Sequence, residues 1–297
     1  MFLTNFVRQL KNQTKNNLQL RIIFKPDTKS MPFIQRYNEI LAKTPKFSST
    51  KLWLRSIVFG VATFFIISLY LGYQDGYYII STANRALAVT AFTLIGFSFM
   101  LSGVCYFWDF LDTKIIYRKY LGITGFAFGL AHGLMSAYFY ALIWSEALGP
   151  TNFYYLWDVF GIKISNVVAF SFGLIGLLIF LMMTSISNRY AALELGGVWW
   201  RRLLRVGYLG YVFIIFHFTI KRADVWSSWI SHPSGLPPIS LWLLLLGLAV
   251  LGLRVALQIA LVKKKRQTSL LATEHPTTPP QPITPEDPSK TPTNQNQ

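Results

Sequence analysis

The sequence predicts an all-α, polytopic membrane protein built as a bundle of six transmembrane helices, and three observations predict it. Of 297 residues 53% are hydrophobic and only 13% charged, with 24 Phe, 15 Tyr and 9 Trp, a balance suited to a lipid-facing surface. Six apolar runs, at about 53–73, 86–108, 119–144, 165–184, 203–220 and 239–262, each come near the roughly 20 helical residues that span a hydrocarbon core. Lipid offers a single segment no backbone partner but its own helix, so each run is expected to be helical. Finally, the basic residues fall in alternate loops, as they do when a chain weaves back and forth.

That charge pattern sets the expected orientation. Lys43, Lys46 and Lys51 precede the first run; Lys114, Arg118 and Lys119 separate the second from the third; Arg189, Arg201 and Arg202 separate the fourth from the fifth; "KKKR" at 263–266 follows the sixth. All four clusters fall on one side, which predicts cytoplasmic termini; with no secretory signal legible at the N-terminus a bacterial inner membrane is expected, a thylakoid or organelle membrane being the alternative. Basic residues gathered in cytoplasmic loops are the expected source of the formal charge of +16, without nucleic acid as a partner. Cys105 is the single cysteine, which excludes an intrachain disulfide framework or a thiolate metal cluster. Three regions are expected: a basic cytoplasmic segment at 1–52, lying partly on anionic headgroups; the six-helix domain at 53–262; and a cytoplasmic tail at 263–297, whose "HPTTPPQPITPEDPSKTPTNQNQ" cannot build a core and is expected to be disordered.

Only two of the four histidines, His132 and His217, lie within the runs. His275 sits in the tail and His232 in the loop "SHPSGLPP". In the third run Gly122, Gly125, Gly129 and His132 follow one another at intervals of three, four and three, and Gly207, Gly210, Ile214 and His217 repeat those intervals in the fifth. At about 100° per residue each set stays on one narrow helix face. Small residues four apart also serve helix packing, and Gly125, Gly129 and Gly133 fit that reading alone. The pair of histidines is harder to assign to packing, because polar side chains inside a bilayer are costly and face a partner or a site. His132 lies 14 residues past Arg118 and His217 lies 15 past Arg202, so both rise roughly 20 Å from the basic side. Two imidazoles at equal depth beside small-residue strips favour one bis-histidine metal centre, with His132 and His217 as ligands and Gly125, Gly129 and Gly210 leaving room for a flat porphyrin.

Two stretches then carry a family resemblance. "YRKYLGITGFAFGLAH" (117–132) and "TSISNRYAALELGGVWWRRLLRVGYLGYVFIIFHF" (184–218) resemble the ferric reductase-like transmembrane superfamily, which includes ferric reductases, NADPH oxidases and the haem-binding membrane subunit of bacterial methionine sulfoxide reductase systems. The resemblance covers about residues 85–220. It implies six helices, and it places His132 and His217 at the positions that ligate the outer haem of two-haem members. The inner ligand positions are Arg118 and Leu204 here, so it implies one b-type haem rather than two.

A bis-imidazole iron has no open coordination position, so the expected work is one-electron transfer, as an electron-transfer subunit of an oxidoreductase. With the inner haem positions lost, FMN or a quinone is the expected carrier in the inner half of the membrane, with Arg118, Arg201, Arg202 and Arg205 as candidate partners beside the reading that they simply obey the positive-inside rule. No glycine-rich phosphate loop is present, so the donor is expected to be external, a flavoprotein reductase or quinol, and the acceptor to lie on the outer side, where an acceptor protein is one candidate. Lys221 and Arg222, just past His217, are candidates to neutralise haem propionates. The competing expectation is a haem-free transporter or scaffold that keeps the fold without redox activity.

Overall fold

The computed structural model describes residues 48–76, 79–146, 156–233 and 235–274. Among them the chain forms α1 (Ser49–Asp75), α2 (Ile80–Phe107), a 3-10 segment (Asp109–Ile116), α3 (Tyr117–Glu146), the strands β1 (Leu156–Val159) and β2 (Ile162–Ser165), α4 (Asn166–Ile186), the short α5 (Arg189–Glu194), α6 (Gly196–Ser231) and α7 (Ile239–Glu274). Each of the six apolar runs is thus helical, and most of the helices outrun the hydropathy that predicts them.

Five of the six long helices, α1, α2, α4, α6 and α7, are long and apolar enough to cross a membrane. They belong to an integral, multi-pass architecture. The sixth, α3, is as long but is not among the five. The surface agrees with a lipid environment, because large apolar side chains are exposed along α1 (Leu54, Phe65, Leu69), α4 (Leu174, Leu178) and α7 (Leu245, Val255), far more than a water-soluble surface carries.

Four helices form a ring in the order α2, α3, α4, α6, each packed on the next; α1 lies against α2 and α3, and α7 against α2 and α6. The helices that carry the two histidines, α3 and α6, therefore stand on a diagonal of the ring. Between α2 and α6 runs an aromatic column: Phe92 stacks on Tyr211 at 4.3 Å, Phe99 stacks on Tyr208 at 4.5 Å, and Phe99 meets Tyr211 edge-on at 5.7 Å.

The ring contains one unit twice. Gly125 packs against Leu94 and Ile95, as Gly210 packs against Ile179 and Phe180; Gly122 faces Ser98 as Gly207 faces Met183; and Gly129 meets Ala91 as Ile214 meets Gly176. A single offset of 85 residues maps every member of the first set onto the second, so the α2–α3 pair and the α4–α6 pair share one register. Close approach at glycine explains it. A Cβ on Gly125 would stand 2.8 Å from Ile95 Cγ1 and 3.1 Å from the Ile95 backbone nitrogen, and one on Gly210 would stand 2.8 Å from Ile179 Cγ2.

Two features differ from the sequence reading. Residues 156–165 form an antiparallel hairpin, with Trp157 opposite Ile164. Its two-residue turn places Phe160 and Gly161 at φ 53° and 87°, the left-handed pair that matches strand twist, and Asp158 Oδ1 accepts the Gly161 N–H at 2.7 Å. The last helix also runs past the expected boundary at 262, through Lys263–Arg266 to Glu274; lysine, arginine, glutamine, leucine and alanine are good helix formers, and cations favour the C-terminal half of a helix dipole. Residues 1–47 of the expected headgroup-binding segment and 275–297 of the expected disordered tail lie outside the described residues.

The shared glycine contacts make a stability prediction. Gly125→Ala and Gly210→Ala should each destabilise the detergent-solubilised protein by roughly 1–3 kcal/mol through overpacking. Gly252→Ala, at a helical position with no atom within 4 Å of the added Cβ, should be neutral or slightly stabilising. Thermal unfolding of the three variants checks this, and equal effects would contradict the packing account.

Candidate functional site

His132 rises from α3 toward the first turns of α2, where its Nδ1 lies 3.0 Å from the backbone oxygen of Asn84 and 2.9 Å from Asn84 Oδ1. His217 rises from α6 toward the first turn of α4, where its Nδ1 lies 2.7 Å from the backbone oxygen of Ala169. A carbonyl oxygen only accepts, so Nδ1 carries the proton in both rings and Nε2 carries the lone pair. The two bonds are the same bond in the two copies of the repeated unit. Each joins residues 48 apart, and the offset of 85 takes Asn84 to Ala169 as it takes His132 to His217.

Neither Nε2 has a hydrogen-bond partner among the described residues. The two rings are within electrostatic reach of each other, and Lys221 is within reach of both. The sequence reading of equal depth is thus matched by geometry: both imidazoles bond to carbonyls at the same end of the ring, opposite the end that carries Arg118 and Arg201.

The surroundings of the two rings differ. Asn84 contributes its side chain as well as its backbone, and its Nδ2 donates to Ser136 Oγ at 2.9 Å, so Asn84 ties α2 to α3 on both sides of the imidazole. His217 instead rests on Gly173, where a Cβ would come within 2.7 Å of Nδ1. The sequence reading did not single out Asn84, Ala169 or Gly173. Its signal would have been the 85-residue register, but these partners share no residue type with their counterparts, and no composition or hydropathy rule marks them.

Of the glycines expected beside a cofactor, Gly125 and Gly210 sit at the closest helix approaches, and Gly129 is the roomiest, with Ala91 Cβ at 3.5 Å and Leu177 Cδ1 at 4.0 Å from an added Cβ. Arg222 lies beside the end of α1, within electrostatic reach of Asp75, Arg85 and Asp224; Asp75 and Arg85 are themselves paired at 2.7 Å.

The four candidate arginines separate. Arg201, Arg202 and Arg205 are exposed, and Arg202 stacks over Trp199 at 4.9 Å. Arg118 instead lines a half-open cavity of about 250 Å³ between α2, α3, α4 and α6, with Lys119 and Leu204 also in its wall.

The donor set suits a macrocyclic metal. Among the described residues no three His, Cys, Asp or Glu side chains gather to hold a bare metal ion, whereas two imidazoles with Nδ1 fixed by carbonyls would leave Nε2 as the donor atom toward a metal that brings its other ligands with it.

Both imidazole supports are testable as structure. Gly173→Ala should push the His217 ring off the Ala169 carbonyl and cost roughly 1–3 kcal/mol. Asn84→Ala should cost about 1 kcal/mol, since His132 keeps the backbone oxygen and loses only the side-chain acceptor. Chemical denaturation in detergent measures both; a Gly173→Ala variant as stable as the parent would contradict the placement of His217.

No protein-family model matches this chain, and no curated protein matches it.

Proposed function

We propose that the protein is a membrane haem protein, an electron-transfer subunit that relays single electrons through one b-type haem held by His132 and His217, as the resemblance to ferric reductase-like membrane domains implies. One observation carries the proposal: two imidazoles on diagonal helices, each with Nδ1 spent on the equivalent carbonyl of a repeated helix pair, leave two equivalent Nε2 lone pairs. In lipid an unmatched imidazole is costly, and a repeated one calls for a shared ligand.

When bound, the haem supplies a one-electron iron couple with no open coordination position. The chain's own residues do the rest. Asn84 and Ala169 hold the ring tautomers and strengthen Nε2 as a donor. Gly173 makes room for the His217 ring, and Lys221, near both rings, is placed to meet a propionate. By the positive-inside rule the end bearing Lys119 and Arg201 faces the cytoplasm, which sets the histidines in the outer half of a bacterial inner membrane and an acceptor beyond them.

Purified protein should show a b-type dithionite-minus-oxidised spectrum with about one haem per chain, lost in both His132→Ala and His217→Ala. Folded protein without haem, or haem retained in both variants, would overturn the proposal and leave a haem-free transporter or scaffold.

A further inference from the structure

A second cavity, open and of about 610 Å³, lies at the other end of the bundle, where α6 runs on past His217 and α1 ends. One stripe of α6 forms one side of it: Asp224, Ser228 and His232 follow one another at intervals of four, and Val225 and Trp229 do the same beside them. Residues four apart share a helix face. Tyr73 and Gln74, in the last turn of α1, form a second side, and Leu236 and Pro238, between α6 and α7, a third. That connecting segment is tied to both neighbours. Tyr70 Oη donates to the Pro237 oxygen at 2.6 Å, and Trp226 donates its indole N–H to Ser240 Oγ at 2.8 Å.

The polar groups of this lining are unspent. Among the described residues the side chains of Gln74, Asp224, Ser228 and His232 make no hydrogen bond or ion pair, and the indole N–H of Trp229 is buried without a partner. Asp224 is the one acidic residue in the lining, and no Lys or Arg lines it. An anion therefore finds no cation in the wall, whereas an ammonium finds a carboxylate. The oxygens of Asp224, Ser228 and Gln74 can accept the three N–H groups of a primary ammonium, and the Tyr73 and Trp229 rings add π faces that attract a cation. The Trp229 N–H calls for an oxygen as well, since a buried donor left unmatched is costly. An ammonium with an oxygen two carbons away answers both demands.

We infer that this cavity binds a primary organic ammonium of the 2-aminoethanol type, either the free amine or the ethanolamine headgroup of a phospholipid. Its position gives access to both. Asp224 lies seven residues beyond His217, roughly 10 Å further along α6, and the exposed face of α1, with Leu69 and Tyr73 at 74% and 78%, leads from the lipid-facing surface to the cavity wall. The volume falls within the roughly 300–1,000 Å³ of ordinary small-molecule sites. The binding is independent of haem and of the relay reading.

The test is isothermal titration calorimetry of the purified full-length chain in dodecyl maltoside with three probes: ethanolamine, ethylene glycol, which keeps the oxygen and lacks the ammonium, and inorganic phosphate. Saturable binding of ethanolamine at one site per chain is expected, and none of the other two. Asp224→Asn should weaken binding about tenfold or more, the scale of one charge-assisted hydrogen bond. Tyr73→Leu should weaken it about threefold, the scale of an exposed cation–π contact, and Ser228→Trp, which fills the cavity, should abolish it. Thermal unfolding of each variant confirms that it is folded. Native mass spectrometry then separates the two sources. One dioleoylphosphatidylethanolamine retained in preference to dioleoylphosphatidylglycerol, and displaced by ethanolamine, identifies the headgroup; equal retention of the two lipids beside ethanolamine binding identifies the free amine. Absence of saturable ethanolamine binding by the folded parent, equal binding of ethylene glycol or phosphate, or affinity unchanged in both Asp224→Asn and Ser228→Trp would each overturn the inference.

Discussion

The imidazoles of His132 and His217 each donate an Nδ1–H hydrogen bond to a backbone carbonyl, on α2 and α4 respectively, and the two helix pairs are joined by these bonds. An N–H without a partner in a low-dielectric interior costs several times what a satisfied one contributes. Glycine makes the bonds reachable. A methyl group on Gly125 or Gly210 would stand 2.8 Å from Ile95 or Ile179 and force a shift at the close approach that lets the Asn84 and Ala169 oxygens meet imidazole at 3.0 and 2.7 Å. The small-residue strips therefore serve packing, and through packing they fix the tautomers.

Repetition gives this local bond a wider meaning. Because one register relates the α2–α3 pair to the α4–α6 pair, the two Nε2 atoms are equivalent points on opposite sides of a four-helix ring. The symmetry breaks where the two copies have different neighbours: Asn84 adds a side-chain acceptor to His132 and Ala169 adds none to His217. At the basic end the copies diverge further, since Arg118 lines a half-open cavity while Arg201, Arg202 and Arg205 are exposed.

Much of this was legible in the sequence. Hydropathy located the six long helices among the described residues, five of which are long and apolar enough to cross a membrane. The 14 and 15 residues that separate His132 from Arg118 and His217 from Arg202 also put the two imidazoles at similar depth. The upstream half of the repeat was hidden, because Ala91 and Gly176, or Ser98 and Met183, are equivalent in position and unlike in chemistry. Helix ends were hidden too: α6 and α7 continue beyond their apolar runs on propensity and length, which hydropathy does not weigh. The Phe160–Gly161 hairpin turn needs a left-handed phenylalanine, an uncommon conformation that a reader expecting helices and loops passes over. Four arginines looked alike as charges, and only packing separates the one that turns inward.

The account turns on whether both imidazoles reach the same iron. Low-temperature electron paramagnetic resonance of the oxidised, purified protein tests that most directly, because axial ligation fixes the spin state of ferric haem. The account predicts a low-spin ferric signal typical of two imidazole ligands, replaced by a high-spin signal or lost when either His132 or His217 is changed to alanine. A high-spin signal in the unaltered protein, or a low-spin signal that survives replacement of either histidine, would contradict it.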